Sequence, residues 1–206
     1  MVLLNDVSNW LALEDSEERR VFSQVSWQQY EALLADLGEK SPYRVHFLAG
    51  DLEVVAPSRR HESRKTQIGN LLEIYFLETN TEYFPMGSTT LRRPERQAGG
   101  EPDESYCIGL DKDFPDLAIE VVVTSGSINR LELYRRLGVR EVWFWQNERL
   151  AIYHRRADIS AHTATAGYEP ITRSELLPDL DIDLLIRCLQ NPNPLAAARA
   201  FRQGLQ

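Results

Sequence analysis

Apolar residues along this chain recur at two spacings, and the switch between them marks out the elements. In SWQQYEALLADLG (26–38), Tyr30, Leu33, Leu34 and Leu37 form a stripe at helical spacing. Ser26 stands at the N-cap and Gly38 at the C-cap. A second helix reads from HESRKTQIGNLLEIYFLETN (61–80), where Ile68, Leu71, Leu72, Tyr75 and Phe76 fall on one face. Between them YRVHFLAGDLEVVAP (43–57) predicts a hairpin around Ala49-Gly50-Asp51, closed by Pro57. Residues 82–93 read as extended with a Gly-Ser turn, RQAGG (96–100) as a loop, and EPDESYCIGL (101–110) as a short strand. A strand follows over 116–123. The next helix spans 125–138, with Ser125 or Ser127 as N-cap and Gly138 as C-cap. REVWFWQN (140–147) and RLAIYHRR (149–156) predict a second hairpin around Gln146-Asn147-Glu148. A late helix lies within 176–191. The ends read as a polar arm (1–22) and a peripheral helical tail (193–206). No repeat or linker interrupts the pattern, so one domain over 1–206 is expected. Its class is α/β (α+β): a mixed central sheet flanked by helices, preceded by a helix and a hairpin.

The strand at 116–123 carries an anomaly. Leu117 to Val123 is apolar and β-branched except for Glu120. Burying a carboxylate costs several kcal/mol unless it is paired, protonated or metal-bound. Alternation puts Ala118, Glu120 and Val122 on one face and Ile119, Val121 and Val123 on the other, toward the core. Asp103, after Pro102 at the start of the preceding strand, is placed to reach the same cleft. Two converging carboxylates offer hard oxygen ligands that suit Mg²⁺. An ion pair, or a partly solvated strand end, accounts for an isolated strand glutamate as well.

Composition narrows the classes. No apolar run approaches the roughly 20 residues of a membrane span. The N-terminus lacks a basic segment ahead of its apolar patches, and Cys107 and Cys188 have no CxxC spacing, so a cytoplasmic protein without disulfides is expected. The net charge of −8 argues against a protein that coats nucleic acid nonspecifically. Residues 59–97 hold seven basic and five acidic residues, a local +2 against −10 elsewhere. Within that region Arg92, Arg93 and Arg96 are candidates for gripping backbone phosphates, or are ordinary loop residues. Trp143 and Trp145 share one strand face, which fits packing better than base stacking. No GxSxG, GxxxxGK[ST] or GxGxxG occurs.

EPDES followed by PDLAIEVVV resembles the second and third motifs of the PD-(D/E)XK, restriction-endonuclease-like superfamily. GDLEVVAPSRRHE, GSTTLR, EPDESYCI and PDLAIEVVVTSGSINRLELYRRLGVREVWFW are similar to a bacterial endonuclease-like family called Uma-two, over roughly 26–185. The resemblance implies a restriction-endonuclease-like core and Mg²⁺-dependent hydrolysis of phosphodiester bonds in DNA, with Mn²⁺ as substitute. Asp103 and Glu120 would hold the metal. A third acid would come from the first core helix: Glu62, with Glu73 as the alternative. The superfamily's lysine, two residues after the glutamate, is replaced here by Val122. The family's displaced lysine matches Arg130, which can hold a phosphate but cannot transfer protons near neutral pH. His61 is a candidate for orienting substrate, or simply sits before the helix. A homodimer would let two sites address two strands. The competing readings are a nuclease-derived nucleic-acid-binding protein without catalysis and a partner-binding protein.

Overall fold

Ser26 starts the first helix through a reciprocal cap. Its hydroxyl accepts from the Gln29 backbone N–H at 3.2 Å, and the Gln29 side chain accepts from the Ser26 backbone N–H at 2.8 Å. Two donors that a helix end would otherwise orphan are thereby satisfied. The computed structural model describes residues 18–38, 41–123 and 128–206. The described elements, in order, are β1 (Glu18–Phe22), α1 (Trp27–Leu37), β2 (Arg44–Leu48), β3 (Asp51–Ala56), α2 (Arg59–Glu78), β4 (Tyr83–Pro85), β5 (Leu91–Arg93), a 3₁₀ turn (Pro94–Arg96) and β6 (Ala98–Gly100). Then come β7 (Glu104–Ile108), β8 (Leu117–Val122), α3 (Arg130–Leu137), β9 (Glu141–Gln146), β10 (Arg149–Arg155), β11 (Tyr168–Ile171), α4 (Ile182–Leu189) and α5 (Pro194–Gly204).

The strands form two sheets. The first is antiparallel, in the order β1-β3-β2-β6-β5; the second runs β11-β10-β9-β8-β7-β4. Only β8 and β9 pair in parallel within the second sheet, with α3 in the connection between them. The expected mixed sheet with flanking helices is therefore present, beside an antiparallel sheet that grows from the early hairpin.

Residues paired across a ladder share a side. On the first sheet Val45, Phe47, Leu52 and Val54 pack against Tyr30 and Leu33 of α1. The opposite side carries Arg19, Arg44, His46 and Glu53. On the second sheet Ile119, Val121, Trp143, Trp145 and Ile152 form the main core with residues of α2, α4 and α5. Its other side, with Ala118 and Val142, packs on Leu133, Tyr134 and Leu137 of α3 together with Leu91 and Ala98 of the first sheet. Helix α3 thus joins the two sheets, and Glu120 lies on the side it covers.

Four expectations change. Residues 18–22 of the polar arm are a strand, paired along β3. RQAGG is not a loop, because Ala98–Gly100 lies between β2 and β5. Its glycines serve close approach: a Cβ on Gly99 would stand 2.4 Å from Tyr30 Oη, and one on Gly100 would stand 2.9 Å from His46 Nδ1. The tail is not peripheral, since Ala197 and Phe201 of α5 are fully buried in the main core. Helix α3 starts later than its pattern suggests, with Asn129 capping Glu132 N–H at 3.0 Å; Ser125 and Ser127 lie outside the described residues. Cys107 and Cys188 are both buried and free.

Candidate functional site

Asp103 sits one residue before β7 and is 2 % exposed. Its backbone N–H donates to Ile119 O at 3.1 Å, and its Oδ2 accepts from Val121 N–H at 2.6 Å. These bonds fall on either side of Glu120 in β8. The ladder itself therefore sets the Asp103 carboxylate beside Glu120.

Two cations close over Asp103. Arg44, from β2, donates to Asp103 Oδ1 and, at 2.6 Å, to Glu62 Oε1. His61, in the first turn of α2, places Nε2 2.9 Å from Asp103 Oδ2. Its Nδ1 lies 3.4 Å from Glu62 Oε1, near enough for charge attraction but without hydrogen-bond alignment. Burial opposes a charged His61, yet its contacts with Asp103 and Glu62 win and lift its pKa to about 9. The Glu62 carboxyl falls to about 2, chiefly through His61 and then through Arg44 and Lys65. Burial pushes Asp103 up, but His61, Arg44 and the Val121 N–H outweigh it and hold the carboxyl below its usual range.

Glu120 is less well compensated. It is 6 % exposed and accepts from the Tyr134 hydroxyl one turn into α3. Burial raises its pKa to about 7; Arg130 pulls it down and the charge of Asp103 pushes it up. Arg130, the first residue of α3, keeps Nε 3.6 Å from Glu120 Oε1. It makes its hydrogen bond elsewhere, from Nη2 to Glu53 Oε2 at 2.5 Å. Arg19 Nη1 donates to the other oxygen of Glu53 at 3.3 Å. His46, on the same side of the sheet, accepts from the Glu101 N–H at Nδ1. Burial, then Arg130, Arg44 and Arg19, keeps His46 neutral.

The structure gathers His61, Glu62 and Asp103 around Arg44, and Glu120 with Glu53 around Arg130; the two groups of ion pairs adjoin, and the charges of Asp103 and Arg44 are felt at Glu120. Glu73 is exposed on α2, and its charge is felt at Glu104 and Tyr106. Of the three arginines, Arg92 lines a cleft with Arg44, Glu62 and Lys65, and faces Glu31 at 3.8 Å. Arg93 instead covers the Phe114 ring at 3.9 Å, and Arg96 donates to Arg136 O at 3.1 Å near the end of α3. The cleft encloses about 810 Å³ between α1, the turn before β2 and the start of α2. Val122 and Arg130 line a separate hollow with Phe144 and Tyr153. Trp143 and Trp145 lie in the core. The sequence reading passed over Arg44, Glu53, Arg19 and Tyr134. For Glu53 a signal existed, since Leu52-Glu53-Val54-Val55 is another apolar strand broken by one carboxylate.

Asp103 and Glu120 supply the hard oxygens that Mg²⁺ prefers. Among the described residues no group of three or more His, Cys, Asp or Glu side chains is placed to hold a metal ion. Mg²⁺ asks for less: it commonly takes one or two carboxylates and completes its shell with water and substrate phosphate. The pair fits such an ion in donor chemistry, with Arg44 standing as the counter-charge on Asp103 Oδ1. No helix among the described residues is long and apolar enough to cross a membrane. The model of the Uma2 family, described as "Putative restriction endonuclease", matches residues 27–185. No curated protein matches the chain.

Proposed function

Since the chain belongs to the Uma2 family of restriction endonuclease-like proteins, we propose that it is a divalent-metal-dependent endonuclease acting on DNA. The observation that carries this reading is Asp103 clamped across β8 on both sides of Glu120. These two residues would hold Mg²⁺ or Mn²⁺. A bound ion of this kind supplies charge neutralisation at the phosphate and an acidified water. Arg44 and Arg130 add fixed positive charge for phosphate oxygens, and neither can shuttle a proton. Glu62 holds Arg44 from the cleft side, 2.6 Å away. Tyr134 fixes the Glu120 carboxylate from below. Arg92 and Lys65 add positive charge to a cleft lining that also holds Glu31, Glu62 and Glu101.

Two observations favour a second reading, a nuclease-derived DNA-binding protein without turnover. Both Asp103 oxygens already have protein partners, and lysine is absent both from the superfamily's position, Val122, and from the family's displaced one, Arg130. Calorimetric Mn²⁺ titration of wild type, Asp103→Asn and Glu120→Gln, with cleavage of plasmid and linear duplex in parallel, separates the two. Metal binding and cleavage lost in both variants support the nuclease. Salt-dependent DNA binding with no cleavage in any divalent metal supports the binding protein.

A further inference from the structure

Glu53 belongs to neither the acid pair nor the cleft, yet it is the most enclosed carboxylate of the network, with no exposed surface. It sits mid-strand in β3, opposite His46 on one side and Val21 on the other. Each of its oxygens has its own arginine: Arg19 from β1 on Oε1 at 3.3 Å, and Arg130 from α3 on Oε2 at 2.5 Å. Arg19 fixes the first oxygen, so the second stays directed at Arg130. The guanidinium is consequently shared unequally, hydrogen-bonded to Glu53 and 3.6 Å from Glu120. Its Nη1 is buried without a hydrogen-bond partner, so the protein does not saturate this group.

An arginine so close to a buried carboxylate would ordinarily complete a two-point ion pair with it. Such a pair would fill the oxygens that an ion needs. We infer that Glu53 is a positioning residue: it keeps Arg130 out of hydrogen-bonding contact with Glu120, at 3.6 Å, and so leaves that carboxylate available to a divalent cation. The inference rests on reading Asp103 and Glu120 as the ion-binding pair. It assigns a task to a residue on the opposite sheet, reached through Arg130 alone.

The test is Mn²⁺ affinity, read by calorimetry, for wild type, Glu53→Gln, Arg130→Gln and the double variant, with thermal melting as the check on folding. Removing the Glu53 charge should let Arg130 close on Glu120 and weaken Mn²⁺ about 10- to 100-fold, the usual range for a lost supporting residue. In the Arg130→Gln background the same change should have no effect, because the intruding cation is gone. Glu53→Asp keeps the charge but shortens the reach; it should weaken Mn²⁺ less, and it stands in if Glu53→Gln fails to fold. Unchanged affinity in Glu53→Gln overturns the inference, as does an equal loss with and without Arg130. If wild type binds no Mn²⁺, alone or with an uncleavable phosphorothioate duplex, the acid-pair reading falls and this inference falls with it.

Discussion

Charged His61 makes a stability prediction whose sign is unusual for a buried histidine. The side chain is 4 % exposed, and burial alone would keep it neutral. Its 2.9 Å contact with Asp103 instead raises the pKa from 6.5 to about 9. A histidine that binds its proton more tightly when folded contributes stability that is complete below about pH 6.5 and lost as pH rises through about 9. At about 1.4 kcal/mol per tenfold change in proton affinity, the full effect is about 3 kcal/mol. Urea denaturation of wild type and His61→Gln at intervals from pH 7 to 9.5 measures it. The stability difference between the two proteins should shrink by about 2.5 kcal/mol across this window, which starts above pH 6.5 and so holds most of the effect. Taking the difference removes the contributions of Cys107, Cys188 and the buried tyrosines, which are common to both. A difference that stays constant from pH 7 to 9.5 would mean that His61 is neutral throughout and that Asp103 has Arg44 alone of these two as its counter-charge.

Glu120→Gln should abolish Mn²⁺ binding yet stabilise the fold at pH 8. Burial raises the Glu120 pKa to about 7, so wild type loses stability as pH climbs from 4.5 to 7; the gain should vanish near pH 5 in denaturation curves. Gly99→Ala should cost about 1–3 kcal/mol by overpacking against Tyr30, which is stacked on Phe47 and cannot step aside. Adding Tyr30→Phe should recover part of that loss, because it removes the nearest atom, a buried hydroxyl with no partner; additive losses in the double variant would contradict the contact. Trp143→Phe should destabilise by about 1.5–3 kcal/mol through loss of the 2.7 Å bond from Nε1 to the buried Glu141 carboxylate, and an unchanged urea midpoint would discount that bond.

What could be read from the sequence was what local rules govern. Caps and hairpins surfaced because Ser26, Gly38 and Ala49-Gly50 act within a few residues of themselves. Glu120 stood out as one charge in an apolar run, and Asp103 followed from strand order. Glu53 and Arg44 break their own apolar strands in the same way, but their partners come from distant parts of the chain, Arg19 and Arg130 for the one and Glu62 and Asp103 for the other, and no spacing reports a distance through space. RQAGG was misread for a related reason. Glycines there are required by Tyr30 and His46, which approach from elsewhere in the chain, and the same letters equally describe a turn. The final helix hid its role behind alanines and arginines, since only Ala197 and Phe201 of its residues, one turn apart, are fully buried.

Strand β1 and helix α5 also bear on how much polypeptide a working copy needs. The family match runs from 27 to 185, yet Arg19 lies before it and Ala197 and Phe201 lie after it. A polypeptide trimmed to those limits would leave one Glu53 oxygen without its arginine and open the α2–α4 side of the core to water. Sequence similarity marks the part that relatives share. The packed core and the ion pairs extend beyond it, and the outermost strand reaches the candidate site through a single carboxylate.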